Sequence, residues 1–213
     1  MKLSIQALRD RLEQELPGED AHVRMSPTGR GRSSQLLKNV SHVHESAVSI
    51  VLYENNAVYS SLLIQRPTYK GVHSGQVCLP GGKREDFETH LHQTALRECM
   101  EETGIDQNKL ELLGSLTPVY IPVSNHHVHP YVFHHPSSTP DLIPDPREVV
   151  EIIPFELKQL IEEERIKKTD ILIRDDHKLK NVPYFDIEGR VVWGATAIIL
   201  HEFKEVLKDL SRI

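Results

Sequence analysis

The chain is short of the features that would place it outside the cell or in a membrane. It has two cysteines in 213 residues, too few for a disulfide framework, so a reducing cytoplasmic compartment is expected. Cys78 falls in an apolar strand-like stretch and Cys99 on the apolar side of a helix, where both read as small buried hydrophobes. No apolar run approaches the roughly 20 residues of a membrane-spanning helix, so no membrane partner is expected. Met1 to Gln6 turn acidic and polar within one more helical turn, unlike a secretory signal. There is no basic excess: 25 Lys and Arg stand against 31 Asp and Glu, a net charge of −6. Such a chain gains little from counterion release, and nucleic acid is not expected as a partner. Repeats and low-complexity tracts are also lacking. What is present, 38% hydrophobic and 26% charged residues, suits a folded core rather than disorder.

The most informative stretch is Arg97-Glu98-Cys99-Met100-Glu101-Glu102-Thr103-Gly104-Ile105. At 100° per residue, Glu101 and Glu102 fall about 60° and about 40° to either side of Glu98, so the three carboxylates share one helix face. Like charges at these spacings repel and destabilise a helix. A divalent cation would neutralise them, and an all-oxygen donor set suits magnesium or manganese, ions that keep water for a phosphate to replace. A solvated acidic helix face is the alternative.

Along the chain, residues 3–16 read as an amphipathic helix stopped by Pro17-Gly18, and 26–41 as an extended arm. Ser46–Tyr53 and Ala57–Gln65 read as a hairpin around Glu54-Asn55-Asn56. Pro80-Gly81-Gly82 marks a tight backbone feature. The Glu helix spans about 89–103, with Leu96, Cys99, Met100 and Thr103 packing away from the carboxylates and Gly104 as its C-cap. Strands are expected near 109–118, 128–134 and 148–153, a short helix at Leu157, Leu160 and Ile161, and a strand pair in 182–193. An amphipathic helix is expected over 194–210. This order predicts an α+β fold, an α/β/α sandwich with a mixed sheet covered by helices.

Gly82 to Ile105 resembles the Nudix box of the Nudix hydrolases. Gly82 and Glu88 match its first part and Arg97 to Ile105 its second, although eight residues separate Glu88 from Arg97 where the pattern has seven. Cys99 replaces the usual aliphatic residue. The insertion leaves the helix carboxylates in place, and Glu88 is not counted among the ligands. Upstream, Leu62-Leu63-Ile64-Gln65-Arg66 and His73-Ser74-Gly75-Gln76-Val77-Cys78-Leu79-Pro80-Gly81-Gly82 resemble the extra signature of the coenzyme A pyrophosphatase branch. Arg66, Gly75 and Pro80-Gly81-Gly82 match; Ile64, Pro67, Gly71 and Leu79 depart, and the Arg missing at 71 removes a phosphate contact. Val182-Pro183-Tyr184-Phe185 and Val192 to Ala197 are also similar to that branch. Residues 1–41 then form an N-terminal helix and arm, and 42–213 the Nudix domain with its C-terminal helix.

The resemblance implies metal-dependent hydrolysis of a phosphoanhydride in a nucleoside diphosphate derivative, with Mg2+ or Mn2+ as cofactor. On coenzyme A or acyl-coenzyme A the products are 3′,5′-ADP and 4′-phosphopantetheine. Another Nudix substrate, such as ADP-ribose, an ADP-sugar or a dinucleotide, stays open, as does a regulator that binds nucleotides without cleaving them. The implied metal ligands are Glu98, Glu101, Glu102 and the carbonyl of Gly82. Arg97 orients the glutamates or forms an ordinary i,i+4 ion pair. The general base is either a box glutamate or Glu148 from a distant loop. Arg66 is a phosphate clamp or a surface arginine, and His73 and Gly81 are candidate substrate contacts. His126, His127, His129, His134 and His135 read as solvated residues of a loop and strand, with His126 or His127 as possible substrate lining. A homodimer through the N-terminal segment is compatible with the sequence.

Overall fold

A computed structural model describes residues 3–69, 73–174 and 177–210. Three short helices open the chain: α1 (Ile5–Leu12), α2 (Gly18–Met25) and α3 (Ser33–Leu37). The strands β1 (His44–Asn55), β2 (Val58–Gln65), β3 (Val77–Cys78) and β4 (Gly81–Lys83) lead into helix α4 (Leu91–Thr103). Then come β5 (Glu111–Ser115), β6 (Val119–Ile121), β7 (His126–Ser138), β8 (Glu151–Glu156), α5 (Lys158–Ile161), β9 (Ile166–Arg174), β10 (His177–Ile187), β11 (Arg190–Val192) and α6 (Gly194–Leu210).

The main sheet runs β3-β2-β1-β7-β5, with β4 also on β1, β6 on β7 and β8 on β2. It is mixed: β1 pairs in parallel with β7, and the other pairs are antiparallel. β1 is covered on both faces, which is why its sequence is an apolar run rather than an alternation. Ala47, Val51 and Tyr53 pack under α4 with Ala95 and Cys99, and Ile50 and Leu52 pack toward α1, α2 and α6 with Leu8, Met25 and Phe203. This is the expected α/β/α sandwich. β11-β10-β9 form a separate three-stranded antiparallel sheet.

Several boundaries differ from expectation. The hairpin turns at Asn56-Ala57, not one residue earlier, because Asn55 pairs with Val58 and both turn residues have positive φ, 50° and 63°. That is the backbone twist a two-residue hairpin favours. α1 ends at Leu12, and Pro17-Gly18 opens α2 instead of only closing α1. The free N–H of Gly18 donates to the buried carboxylate of Glu202 in α6, 3.0 Å away, so a tertiary partner satisfies a helix end that the sequence leaves open. The arm contains α3, and the N-terminal segment shares one core with the sheet through Leu8, Leu12 and Met25. Met100 is 37% exposed; Ala95, Cys99 and Thr103 carry the packed face of α4. Cys99 is buried as expected, and Cys78 only partly. No helix among the described residues is long and apolar enough to cross a membrane.

Candidate active site

α4 begins at His90, whose N–H donates to the Gln93 side chain at 3.0 Å, and ends at Gly104 in the left-handed conformation with φ 76°. Both ends are therefore satisfied locally, and the carboxylate face is set by packing of Ala95 and Cys99 on β1. β4 crosses this face because Gly82 pairs with Ala47 of β1. Glu102 lies 1% exposed beneath the strand, its carboxylate accepting from the Gly81 N–H at 2.8 Å. Gly82 presses on Glu98 so closely that a Cβ there would stand 2.3 Å from Glu98 Oε1.

A third carboxylate arrives from sequence far away. The Glu148 N–H donates to Asp145 O in a turn just before β8, while Val149 is buried and Val150 N bonds Gln65 O at 2.8 Å. With its neighbour anchored, Glu148 reaches the helix: carboxylate oxygens of Glu98, Glu102 and Glu148 lie within 4.8 Å of one another.

Arg97 binds four groups. Its Nε donates to Glu88 at 2.9 Å, Nη1 to Glu98 at 2.8 Å and Glu101 at 2.9 Å, and Nη2 to Lys83 O at 3.0 Å. Thus Arg97 makes the expected i,i+4 pair and also ties Glu98 to β4. Glu101 is half-exposed, turned to Arg97 and outside the converging set. Glu88 is buried and accepts from Arg97, from Thr94 Oγ1 at 2.7 Å and from the Glu85 N–H at 2.7 Å. It braces Arg97. That role and the contribution of Thr94 were not read from the sequence; the invariant spacing of the pattern, broken by one residue here, was the only signal.

Of the remaining candidates, Arg66 places Nη1 3.5 Å from Glu102 Oε1. His73 bonds Gln76 in its own loop at 3.1 Å. Gly81 contributes its N–H as above. Gly71 lies outside the described residues. The histidines lie on β7, where successive side chains alternate between faces, and they are not simply solvated. His135 is buried, His126 Nδ1 meets Ser46 Oγ, and His129 meets Glu45.

The electrostatics follow from crowding. Burial, then the charges of Glu98 and Glu148, push the Glu102 carboxyl up to about 8 against the opposing Gly81 N–H and Arg66. Burial also raises Glu98 despite Arg97. Burial alone would raise Glu88, but its hydrogen bonds more than offset this and hold it below the usual carboxylate range. Burial alone would lower Arg97, but its hydrogen bonds and ion pairs with Glu88 and Glu98 more than offset this and raise it, so it stays charged. Three oxygen donors that crowd within 4.8 Å of one another fit a hard divalent cation.

The NUDIX domain family matches residues 43–175. The chain is 31% identical over 159 residues to a protein of Escherichia fergusonii described as an uncharacterized Nudix hydrolase, NudL, covering 75% of this chain and 81% of that one. It is 31% identical over 144 residues to NudL of Yersinia pestis, 68% of this chain and 70% of that one. Among solved structures, the Nudix hydrolase RenU of M. smegmatis superposes with a TM-score of 0.55 at 17% identity, covering 78% and 87% of the two chains. An Ap4A hydrolase of C. elegans gives 0.52 at 17%, covering 78% and 99%; both likenesses speak for the fold. On its sequence match across more than half its length, its fold and its carboxylate helix, the chain belongs to the Nudix hydrolases.

Proposed function

We propose that this Nudix hydrolase cleaves the phosphoanhydride of coenzyme A or an acyl-coenzyme A, giving 3′,5′-ADP and 4′-phosphopantetheine, with Mg2+ or Mn2+ and in the cytoplasm. The observation that carries the reaction class is the convergence of Glu98, Glu102 and Glu148 within 4.8 Å of one another, with Gly82 against Glu98. Glu98 and Glu102, with the Gly82 carbonyl, would hold the divalent ion, which when bound neutralises diphosphate charge and polarises a phosphoryl oxygen. The substrate assignment rests on the signature from Leu62 to Gly82, whose Arg66 stands at the edge of the carboxylate set.

The roles divide by what already holds each carboxylate. Arg97 fixes Glu98 and Glu101, and Gly81 fixes Glu102. Glu148 is the exposed member of the set, so it is the group placed to take a proton from an attacking water. Arg66 supplies a guanidinium for a substrate phosphate, which it matches in bidentate fashion, and His73 sits on the loop that would border the nucleotide. Positioning and charge neutralisation are most of what phosphoryl transfer asks of a protein.

The test is turnover of coenzyme A and ADP-ribose in parallel, with millimolar Mg2+ or Mn2+ and chromatographic separation of products. Formation of 3′,5′-ADP from coenzyme A, lost in chelator and in Glu98→Gln, is expected. Cleavage of ADP-ribose alone would overturn the substrate and keep the chemistry. The substituted positions 64, 67, 71 and 79 make that the competing outcome.

A further inference from the structure

A second convergence of donors stands on β1 and β7, apart from the carboxylate site and sharing no residue with it. His127 and His129 are two residues apart on β7, so both rings project from the α4 side of the sheet. The parallel pairing of β1 with β7 places Glu45 opposite His127. Three atoms meet: His129 Nε2 is 2.8 Å from Glu45 Oε2 and 3.2 Å from His127 Nδ1, and His127 Nδ1 is 3.5 Å from Glu45 Oε2. The two rings meet edge to face, centroids 4.5 Å apart, which turns their nitrogens toward a common point without stacking.

We infer that Glu45, His127 and His129 form a binding site for a borderline divalent transition metal of the Zn2+ class, separate from the hard-ion site on α4. Hydrogen bonding alone serves this trio poorly. His129 Nε2 has one proton at most and two neighbours within reach, and that proton cannot serve the Glu45 oxygen and the His127 nitrogen equally. A cation between them satisfies all three with lone pairs. Zinc bonds of about 2.0 to 2.2 Å at tetrahedral angles put ligand atoms roughly 3.4 Å apart, so two of the three separations already fit and the third, now 2.8 Å, opens by about half an ångström. Two imidazoles and one carboxylate suit zinc, cobalt or nickel far better than magnesium. All three side chains are partly exposed, which leaves an entry path and open coordination positions for water. The strand pairing fixes the donor backbones before any ion arrives. A bound ion would clip the N-terminal end of β1 to β7.

The experiment is a Zn2+ titration of the full chain by calorimetry, with excess Mg2+ present to occupy the carboxylate site. One equivalent is expected to bind at low micromolar concentration. His127→Ala and His129→Ala should each weaken it at least about tenfold, and Glu102→Gln should leave it unchanged. Zn2+ should also raise the Tm of the wild type and not of His129→Ala, since an ion that binds only the folded state stabilises it by mass action. Equal Zn2+ affinity in wild type and both histidine variants would overturn the site, as would loss of binding in Glu102→Gln alone. Should a histidine variant fail to fold by circular dichroism, anomalous diffraction at the zinc edge from wild-type crystals decides. A peak among Glu45, His127 and His129 supports the site, and a peak elsewhere or none refutes it.

Discussion

Arg97 holds Glu98 and Glu101 on one side and rests on buried Glu88 on the other. Lysine offers a point charge where this network uses a planar fork. Arg97→Lys should therefore lower kcat about 100-fold through misplaced carboxylates, with KM changed far less; steady-state kinetics on the cleaved substrate would show it, and an unchanged kcat would remove Arg97 from the site. Glu102 carries a different signature. Its folded-state value of about 8 lies above the ordinary 4.5, so between those values the folded protein keeps a proton that the unfolded chain has lost. The stability from the neutral carboxyl is complete below about pH 4.5 and is lost as pH rises through 8. In chelator, the Tm of the wild type should fall over that window, and Glu102→Gln should flatten the fall. A wild type and variant with parallel Tm profiles would contradict the burial argument. Added Mg2+ should restore wild-type Tm at the alkaline end.

At the scale of elements, β4 is the hinge between fold and site, and its two glycines answer to different neighbours. A Cβ on Gly81 would meet the backbone of β1, 2.3 Å from Ala47 O and 2.7 Å from Val48 Cα, at a φ of +156°. Neither strand can yield, and Gly81→Ala should cost about 3 kcal/mol of stability in a denaturant melt. A Cβ on Gly82 would instead strike the Glu98 carboxylate, the far end of a flexible side chain. Gly82→Ala should fold with a stability loss under about 1 kcal/mol and still lose activity about 100-fold. Reversal of the two effects would show that β4 does not sit on α4 as described.

Across the whole molecule, Glu202 of α6 joins the ends of the chain. Its buried carboxylate accepts from the Gly18 N–H, from the Thr117 N–H and hydroxyl at 3.1 and 2.6 Å, and meets His22 Nε2 at 3.0 Å. Glu202→Ala strands those donors in the interior, and buried polar groups left without partners cost about 1 to 3 kcal/mol each. A loss of at least about 4 kcal/mol is expected by urea unfolding, with kcat and KM of the folded fraction unchanged because no site residue is touched. A loss within error of zero would mean that water replaces the carboxylate and that the N-terminal helices are not held by it.

The sequence by itself determined the local elements and the chemistry of α4. Glu98 and Glu102 share a helix face through the 3.6-residue repeat alone, Gly104 stops that helix, and the apolar period of 194–210 places α6. Tertiary structure decided everything that depends on distant partners. Glu148 lies 46 residues from Glu102, and only the pairing of β8 with β2 and the anchoring of Val149 carry it to the site. Glu88 became a brace for Arg97 because a Thr94 hydroxyl and a backbone N–H happened to face it, contacts no spacing encodes. The parallel register of β1 and β7 brings Glu45 beside His127, 82 positions apart. Periodicity is a property of neighbours along the chain and can be read from it, whereas convergence is a property of packing, set only once apolar surface is buried and every strand has found its register.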